Sequence, residues 1–96
     1  MIVLNVLYRC KVGKREAFLE TIFKEGIDAA SRGEAGNIMY DYFKSVKNDN
    51  EILLLEKWKD AEAIAAHSGQ PHFIRLGELK AEYVEETVIE RFESEK

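Results

Sequence analysis

The chain has 96 residues, of which 46% are hydrophobic and 33% are charged, and its formal net charge is −4. Its 14 basic residues form no stripe or tail, so binding to the phosphate backbone of a nucleic acid is not expected. Apolar runs such as ILLL at 52–55 are far too short to cross a membrane, and the start MIVLNVLYR lacks a basic region followed by a cleavage site. We expect a cytoplasmic protein with a single domain over residues 1–96, whose small core favours an oligomer.

The first half of the chain predicts a strand, a helix and a hairpin. Ile2–Cys10 is rich in β-branched and aromatic residues and apolar at both alternating positions, as in a strand covered on two sides, with Asn5 as its polar exception. Residues 14–31 predict one helix, whose buried face would contain Phe18, Leu19, Ile22, Phe23, Gly26 and Ala30. After the turn RGEAGN, alternating residues predict strands over 38–46 and 51–59, joined by the hairpin KNDN.

The second half predicts two helices and a last strand. Asp60 can cap a short helix over 61–67, and Pro71 suits the first turn of the next helix. Residues 86–92 alternate as a strand, which completes the order βαββααβ. This order predicts an α+β, ferredoxin-like fold, with an antiparallel four-stranded sheet and helices on one face. A second copy would cover the other face, giving a homodimeric α/β barrel with a small-molecule pocket between each sheet and its own helices.

Two positions on the predicted strands are candidates for chemistry. Asn5 either bonds a neighbouring backbone group or points its amide into a pocket, where it can hold a carbonyl or phenolate oxygen. Glu56 and Trp58 lie two residues apart and share a strand face. Trp58 is most often a core residue, and Glu56 either forms a structural ion pair or serves a site, because carboxylates are seldom buried without a partner.

The joint HSGQPHF holds both histidines of the chain. His67 closes one helix, where protonation is favoured, and His72 begins the next, where it is disfavoured. His67 shares a helix face with small side chains, which would leave space for a pocket between the helix and the sheet. The alternative is a solvated cation, the more common state of a histidine at a helix end. Tyr40 is predicted to be either a packing residue or part of a cavity wall. A helix break separates the histidines and no third ligand stands at helical spacing, so no metal is expected.

The segments EAGNIMYDYF and LLLEKWKDAEAIAAHSGQPHF resemble the antibiotic biosynthesis monooxygenase domain family. The family pattern is an acidic residue and a glycine before a Tyr-containing strand, then Glu-x-Trp, a short Ala-rich helix ending in His, and a His-Phe or His-Tyr pair. Glu56, Trp58, His67, His72 and Phe73 carry the specific part of the likeness. The resemblance implies a dimeric ferredoxin-like α/β barrel. Members include monooxygenases that use neither metal nor flavin, an isomerase of a small phosphorylated dione, and many members without an assigned reaction.

A haem-degrading branch of the same architecture uses a strand-one Asn with a His further along the last helix. Asn5 fits this branch, but the corresponding helix reads FIRLGELK and contains no histidine, so haem degradation is not expected.

The resemblance implies a cofactor-independent monooxygenase acting on a small quinol or phenol. A deprotonated substrate of this kind can reduce dioxygen by itself, so the protein need supply only a base, an anchor for the anion and a dry cavity. His67 would be the base, Asn5 the anchor and Glu56 the residue that orients His67. The substrate-binding set would comprise Trp58, Tyr40, His72 and Phe73, with His72 tying down the joint by a hydrogen bond. The alternatives are an isomerase of a small dicarbonyl that uses the same proton abstraction, and a non-catalytic barrel that binds a small hydrophobic ligand.

Overall fold

A computed structural model describes residues 1–94 and contains an antiparallel four-stranded sheet with helices packed on one face. The strand order is β2-β3-β1-β4, which confirms the predicted α+β, ferredoxin-like architecture. None of the helices in this part of the chain is long and apolar enough to cross a membrane. The elements in chain order are β1 Ile2–Cys10, α1 Arg15–Lys24, α2 Ile27–Arg32, β2 Asn37–Lys44, β3 Glu51–Trp58, α3 Ala61–Ser68, α4 Pro71–Tyr83 and β4 Val84–Glu93.

The face of the sheet that lies under the helices forms the core. Directly paired residues of neighbouring strands share a face, so the registers place Val6 beside Leu54, and Glu56 between Leu4 and Tyr40. The buried apolar set combines these strands with α1, α2 and α4, and includes Tyr8, Phe18, Ile22, Ile27, Ile52, Trp58, Leu76 and Leu79. A single side of the sheet therefore holds both the core and the cavity described below.

The single helix predicted over 14–31 is two helices. α1 ends at Lys24, and Gly26 adopts a left-handed backbone conformation with φ of 69° before α2 begins at Ile27. The break changes the direction of the chain, so the predicted residues do not share the single buried face of a continuous helix. Phe23, predicted to be buried, is 51% exposed, while Ile27 is buried. The apolar spacing alone did not reveal the break, because glycine fits both a helix and its left-handed end.

The opposite face of the sheet carries the other alternating residues, and no helix within residues 1–94 packs on it. Its central strands contribute half-buried side chains, including Val3, Leu7, Leu53 and Leu55, and its outer strands contribute the exposed Phe43, Val88 and Phe92. We call this surface the open sheet face. Asn5 also lies on it, since Asn5 pairs with Leu55 and Glu90 rather than with residues of the core face.

The two glycines Gly26 and Gly77 should respond in opposite ways to substitution by alanine. Gly26→Ala forces a side chain into the left-handed region and is expected to destabilise the fold by about 1–2 kcal/mol. Gly77 is helical, and a Cβ there meets nothing within 4 Å among the described residues, so Gly77→Ala should stabilise it by about 1 kcal/mol. Urea unfolding of both variants measures the difference, and equal effects would contradict the assigned break.

Candidate active site

A cavity of about 200 Å³ lies between the sheet and the helices α3 and α4, where the sequence predicted a pocket. Tyr40, Glu56 and Leu4 form one row of its floor across β2, β3 and β1. Phe73 closes it from α4. Its apolar lining is completed by Val6, Tyr8, Ile64, Leu76 and Ile89, and its remaining lining residues are His67, Ser68, Gly77 and Lys80. This mostly apolar enclosure with a few polar groups is typical of a small-molecule site.

His67 reaches the cavity from the last turn of α3. The helix starts where the Asp60 side chain accepts a hydrogen bond from the Ala63 N–H, and it ends at Gly69. This length places the imidazole over the sheet, where only 4% of the residue is exposed. Its ring lies 4.6 Å from that of Trp58 and 5.1 Å from that of Phe73, measured between centroids. Packing on two sides fixes the orientation of the ring.

Glu34 holds both histidines through one carboxylate oxygen. Its Oε2 lies 2.6 Å from Nδ1 of His67 and 2.8 Å from Nε2 of His72. An ionised carboxylate only accepts hydrogen bonds, so each of these nitrogens donates. In a neutral His67 ring the proton is therefore on Nδ1, and Nε2 keeps its lone pair on the opposite side of the ring. We call Glu34, His67 and His72 the carboxylate–imidazole cluster.

Glu56 and Trp58 form a separate buried pair next to this cluster. The indole N–H of Trp58 donates to Oε1 of Glu56 over 2.8 Å, and Trp58 is fully buried. Burial raises the pKa of the Glu56 carboxyl, against the opposing effects of the Trp58 hydrogen bond and of the charges of His67 and Lys80. The Glu56 carboxyl thus binds a proton more readily than an exposed one does, while it lines the floor of the cavity.

The structure brings His67, Glu56, Tyr40 and Phe73 together at the cavity, as the sequence predicted. It does not place Asn5 there. Asn5 is adjacent in sequence to Leu4, which is part of the cavity floor, so its side chain lies on the opposite, open sheet face. The expectation that Asn5 and His67 share a cavity is wrong.

Three finer expectations also need correction. Trp58 does not line the cavity but packs against the His67 ring. His72 is not among the residues that line it, and its Nε2 contacts Glu34. The residue in hydrogen-bond contact with His67 is Glu34, whereas the hydrogen bond of Glu56 goes to Trp58. The expected hydrogen bond that ties His72 to the joint is present, with Glu34 as the partner.

Sequence reasoning gave no role to Glu34, which lies 33 residues before His67 in a turn. The available signal was its position two residues before Gly36 in EAGN, the acidic residue and glycine of the family pattern. Lys80 was missed as well. It is four residues after Leu76 on the core-facing side of α4, a position that looked like an ordinary solvated lysine.

The carboxylate–imidazole cluster also contains the donor atoms that could bind a metal ion. It offers two imidazole nitrogens and a carboxylate oxygen within 4.8 Å of one another, the donor types that zinc and ferrous iron use. The third donor that seemed to be missing from the sequence is thus supplied by Glu34. In the present geometry both rings contact the same oxygen at hydrogen-bond distance, and hydrogen bonding accounts for their arrangement. The expectation of no metal stays a prediction.

Gly36 allows the turn that carries Glu34 to lie directly against α3. A Cβ on Gly36 would overlap the Cβ of Ala63. The same turn is tied to the end of β3 by the hydrogen bond from Lys59 N–H to the Gly36 carbonyl, 2.9 Å long. Close approach at Gly36 therefore sets the distance between Glu34 and the imidazole of His67.

Known proteins share both the sequence pattern and the fold. Residues 1–78 match the family model described as antibiotic biosynthesis monooxygenase. The chain is 41% identical over 73 residues to YcnE of Bacillus subtilis (strain 168), provisionally named a monooxygenase, and the match covers 76% of this chain and 75% of YcnE. It is also similar to the structure of a provisionally named antibiotic biosynthesis monooxygenase from Nitrosomonas europaea, with a TM-score of 0.89, 25% identity and 100% coverage of both chains. A conserved protein of unknown function from Bacteroides thetaiotaomicron VPI-5482 has a TM-score of 0.84 and 33% identity, with 95% of this chain and 94% of that chain covered.

The contact between Gly36 and Ala63 can be tested by a double substitution. Gly36→Ala should destabilise the fold by about 1–3 kcal/mol, because the added methyl group forces the turn away from α3. Ala63→Gly alone should cost about 1 kcal/mol as a glycine inside a helix. Combined, the two changes should cost less than their sum, since the second removes the overlap. Urea unfolding of the four proteins measures the coupling, and strictly additive effects would show that the two positions do not touch.

Proposed function

The chain belongs to the antibiotic biosynthesis monooxygenase family, and we propose that it oxidises a small electron-rich phenol or hydroquinone with dioxygen, using no metal or organic cofactor. The observation that carries this proposal is the position of His67. Its ring lines an enclosed apolar cavity, while its Nδ1 is held by the Glu34 carboxylate. A histidine so arranged has one nitrogen fixed as a donor and the other available as a base.

The reaction balances without a further redox partner. Nε2 of His67 takes the proton of one substrate hydroxyl, and the resulting anion transfers an electron to dioxygen. Recombination forms a carbon–oxygen bond and a hydroperoxide on the neighbouring ring carbon. The O–O bond and the C–H bond then break to release water and leave a new carbonyl, so a hydroquinone and dioxygen give a hydroxyquinone and water. The substrate supplies all four electrons that reduce dioxygen, with one oxygen atom retained and one released.

The other residues support this chemistry in different ways. The Glu34 carboxylate holds the His67 ring in place and faces the positive charge that the ring gains when it takes a proton. Glu56, whose pKa burial raises, can hold a proton on the cavity floor and donate it as the O–O bond breaks. Tyr40 and Phe73 form aromatic walls against which a flat ring can pack. The apolar lining keeps bulk water from the anion.

Conservative substitutions of the two histidines separate a base from a structural donor. His67→Gln keeps an amide donor for Glu34 but removes the base, so turnover should fall by about two to four orders of magnitude. His72→Gln is the matched control, since its amide can still donate to Glu34, and turnover should stay within about threefold of the original. A panel of benzohydroquinones, naphthohydroquinones and small diketones, followed by product absorbance and oxygen uptake, supplies the measurement.

The same assay distinguishes the alternatives. Full turnover in His67→Gln, or an equal loss in His72→Gln, would remove His67 from the role of base. Product formed from a diketone without oxygen uptake would identify an isomerase instead. Binding of panel members without any product would support the non-catalytic barrel.

We propose in addition that the open sheet face is covered by a second copy of the chain. Its half-buried leucines and exposed aromatic residues form an apolar surface that an isolated chain leaves in contact with water. Sedimentation should therefore give twice the chain mass of 11.1 kDa at micromolar concentration. Leu53→Arg, at the centre of this face, should shift the protein to monomers. Val46→Arg is the matched control, because Val46 is fully exposed in the hairpin, and it should leave the dimer intact. A wild-type monomer would contradict this assembly.

A further inference from the structure

Lys80 brings a positive charge to the cavity that the proposed reaction has not used. It lines the cavity from the last turn of α4, and its ammonium lies 5.6 Å from the centre of the Tyr8 ring. Within residues 1–94 it forms no ion pair. Its charge acts on Glu56 through space but is not neutralised by direct contact.

His67 lies beside the first turn of α4, with its ring centroid 5.8 Å from that of His72 and 5.1 Å from that of Phe73, whereas Lys80 lies in the last turn of that helix. Lys80 follows His72 by eight residues on α4, which corresponds to about 12 Å along the helix axis at about 1.5 Å per residue. A ligand with its hydroxyl at His67 therefore extends towards Lys80 along α4, past Phe73 and Leu76. The cavity volume of about 200 Å³ limits such a ligand to one or two rings.

Gly77 leaves the wall of the cavity open beside Lys80. It occupies the interior of α4, where glycine is less favourable than alanine, although a Cβ there would meet nothing within 4 Å among the described residues. It is exposed and lines the cavity, as does the exposed Ile89 of β4. Gly77 thus lies about one helical turn before Lys80, on the same side of α4.

We propose that the substrate is a phenol or hydroquinone that carries an anionic group, such as a carboxylate, at the end remote from its reacting hydroxyl, and that Lys80 binds this group. The inference rests on the proposed function for the position of the hydroxyl. Lys80 supplies the anchor for an anion that the sequence had assigned to Asn5, but it selects the substrate rather than stabilising the reacting oxygen. Pairing with a carboxylate in a partly enclosed site replaces the contact with the Tyr8 ring by a stronger, charge-assisted hydrogen bond.

The test compares two probes that differ only in charge. para-Coumarate carries a hydroxyl at one end and a carboxylate at the other, and para-coumaramide is its neutral isostere. Isothermal titration calorimetry at neutral pH should show that the wild-type protein binds the carboxylate about tenfold more tightly than the amide, on the scale of one charge-assisted hydrogen bond.

Three variants identify the source of the preference. Lys80→Met keeps the apolar stem and should bind both probes with equal affinity, close to that of the wild type for the amide. Lys47→Met removes a charge from the exposed hairpin and should keep the tenfold preference. Gly77→Leu places a large side chain at the opening and should weaken both probes by the same factor.

Equal affinity of the wild type for the two probes, a preference that survives in Lys80→Met, or failure of both probes to bind at millimolar concentration would overturn the proposal. Because the readout is binding, it does not depend on turnover. A charge preference in a protein that turns over no substrate would refute the monooxygenase while sustaining the role of Lys80. Loss of activity in His67→Gln without a charge preference would support the monooxygenase and refute the role of Lys80.

Discussion

The arrangement of the site depends on one carboxylate oxygen that accepts hydrogen bonds from two imidazoles. Oε2 of Glu34 contacts rings from the end of α3 and the start of α4, and so joins three segments that are far apart in sequence. The Glu34 side chain is only 13% exposed, so removing either donor would leave a buried charge with fewer partners. The close approach of Gly36 to Ala63 makes this sharing possible, because it holds the turn at hydrogen-bond distance from α3.

Two carboxylates near one histidine have different environments and therefore different tasks. Glu34 faces donors from both histidines, and it also borders an open groove of about 550 Å³ beside Gly36 and Ala63. Glu56 lies under the helices, has the Trp58 indole as its donor, and has a raised pKa because it is buried. The first is suited to hold a ring in place, and the second, with its raised pKa, to carry a proton. The rings of Trp58 and His67 lie 4.6 Å apart between centroids, so the pair of Glu56 and Trp58 packs directly against the pair of Glu34 and His67.

The sequence predicted the fold well because its strands alternate and its helices have clear limits at Asp60, Gly69 and Pro71. It also predicted that His67, Tyr40 and Phe73 would lie near one cavity. The alternation of residues could not assign Asn5 to a face of the sheet, because β1 is apolar on both faces. Neighbouring residues of a strand point to opposite faces, so a shift of one residue would move Asn5 from one face to the other. The sequence did not predict the role of Glu34, because residues in a turn have no regular spacing from which the direction of a side chain can be inferred. Its contact with His67 exists only after the sheet has brought β2 beside β3.

The position of β1 in the sheet has a consequence for how the protein is made. Within residues 1–94, β1 precedes the other elements but pairs on one side with β4, which follows them, from Ile2 opposite Glu93 to Cys10 opposite Val84. During synthesis one edge of this apolar strand stays unpaired until β4 has emerged. An unpaired apolar edge is a template for strands of other chains. Nascent or truncated chains that lack β4 are therefore the species from which aggregation should start, and pairing of β4 with β1 protects against it.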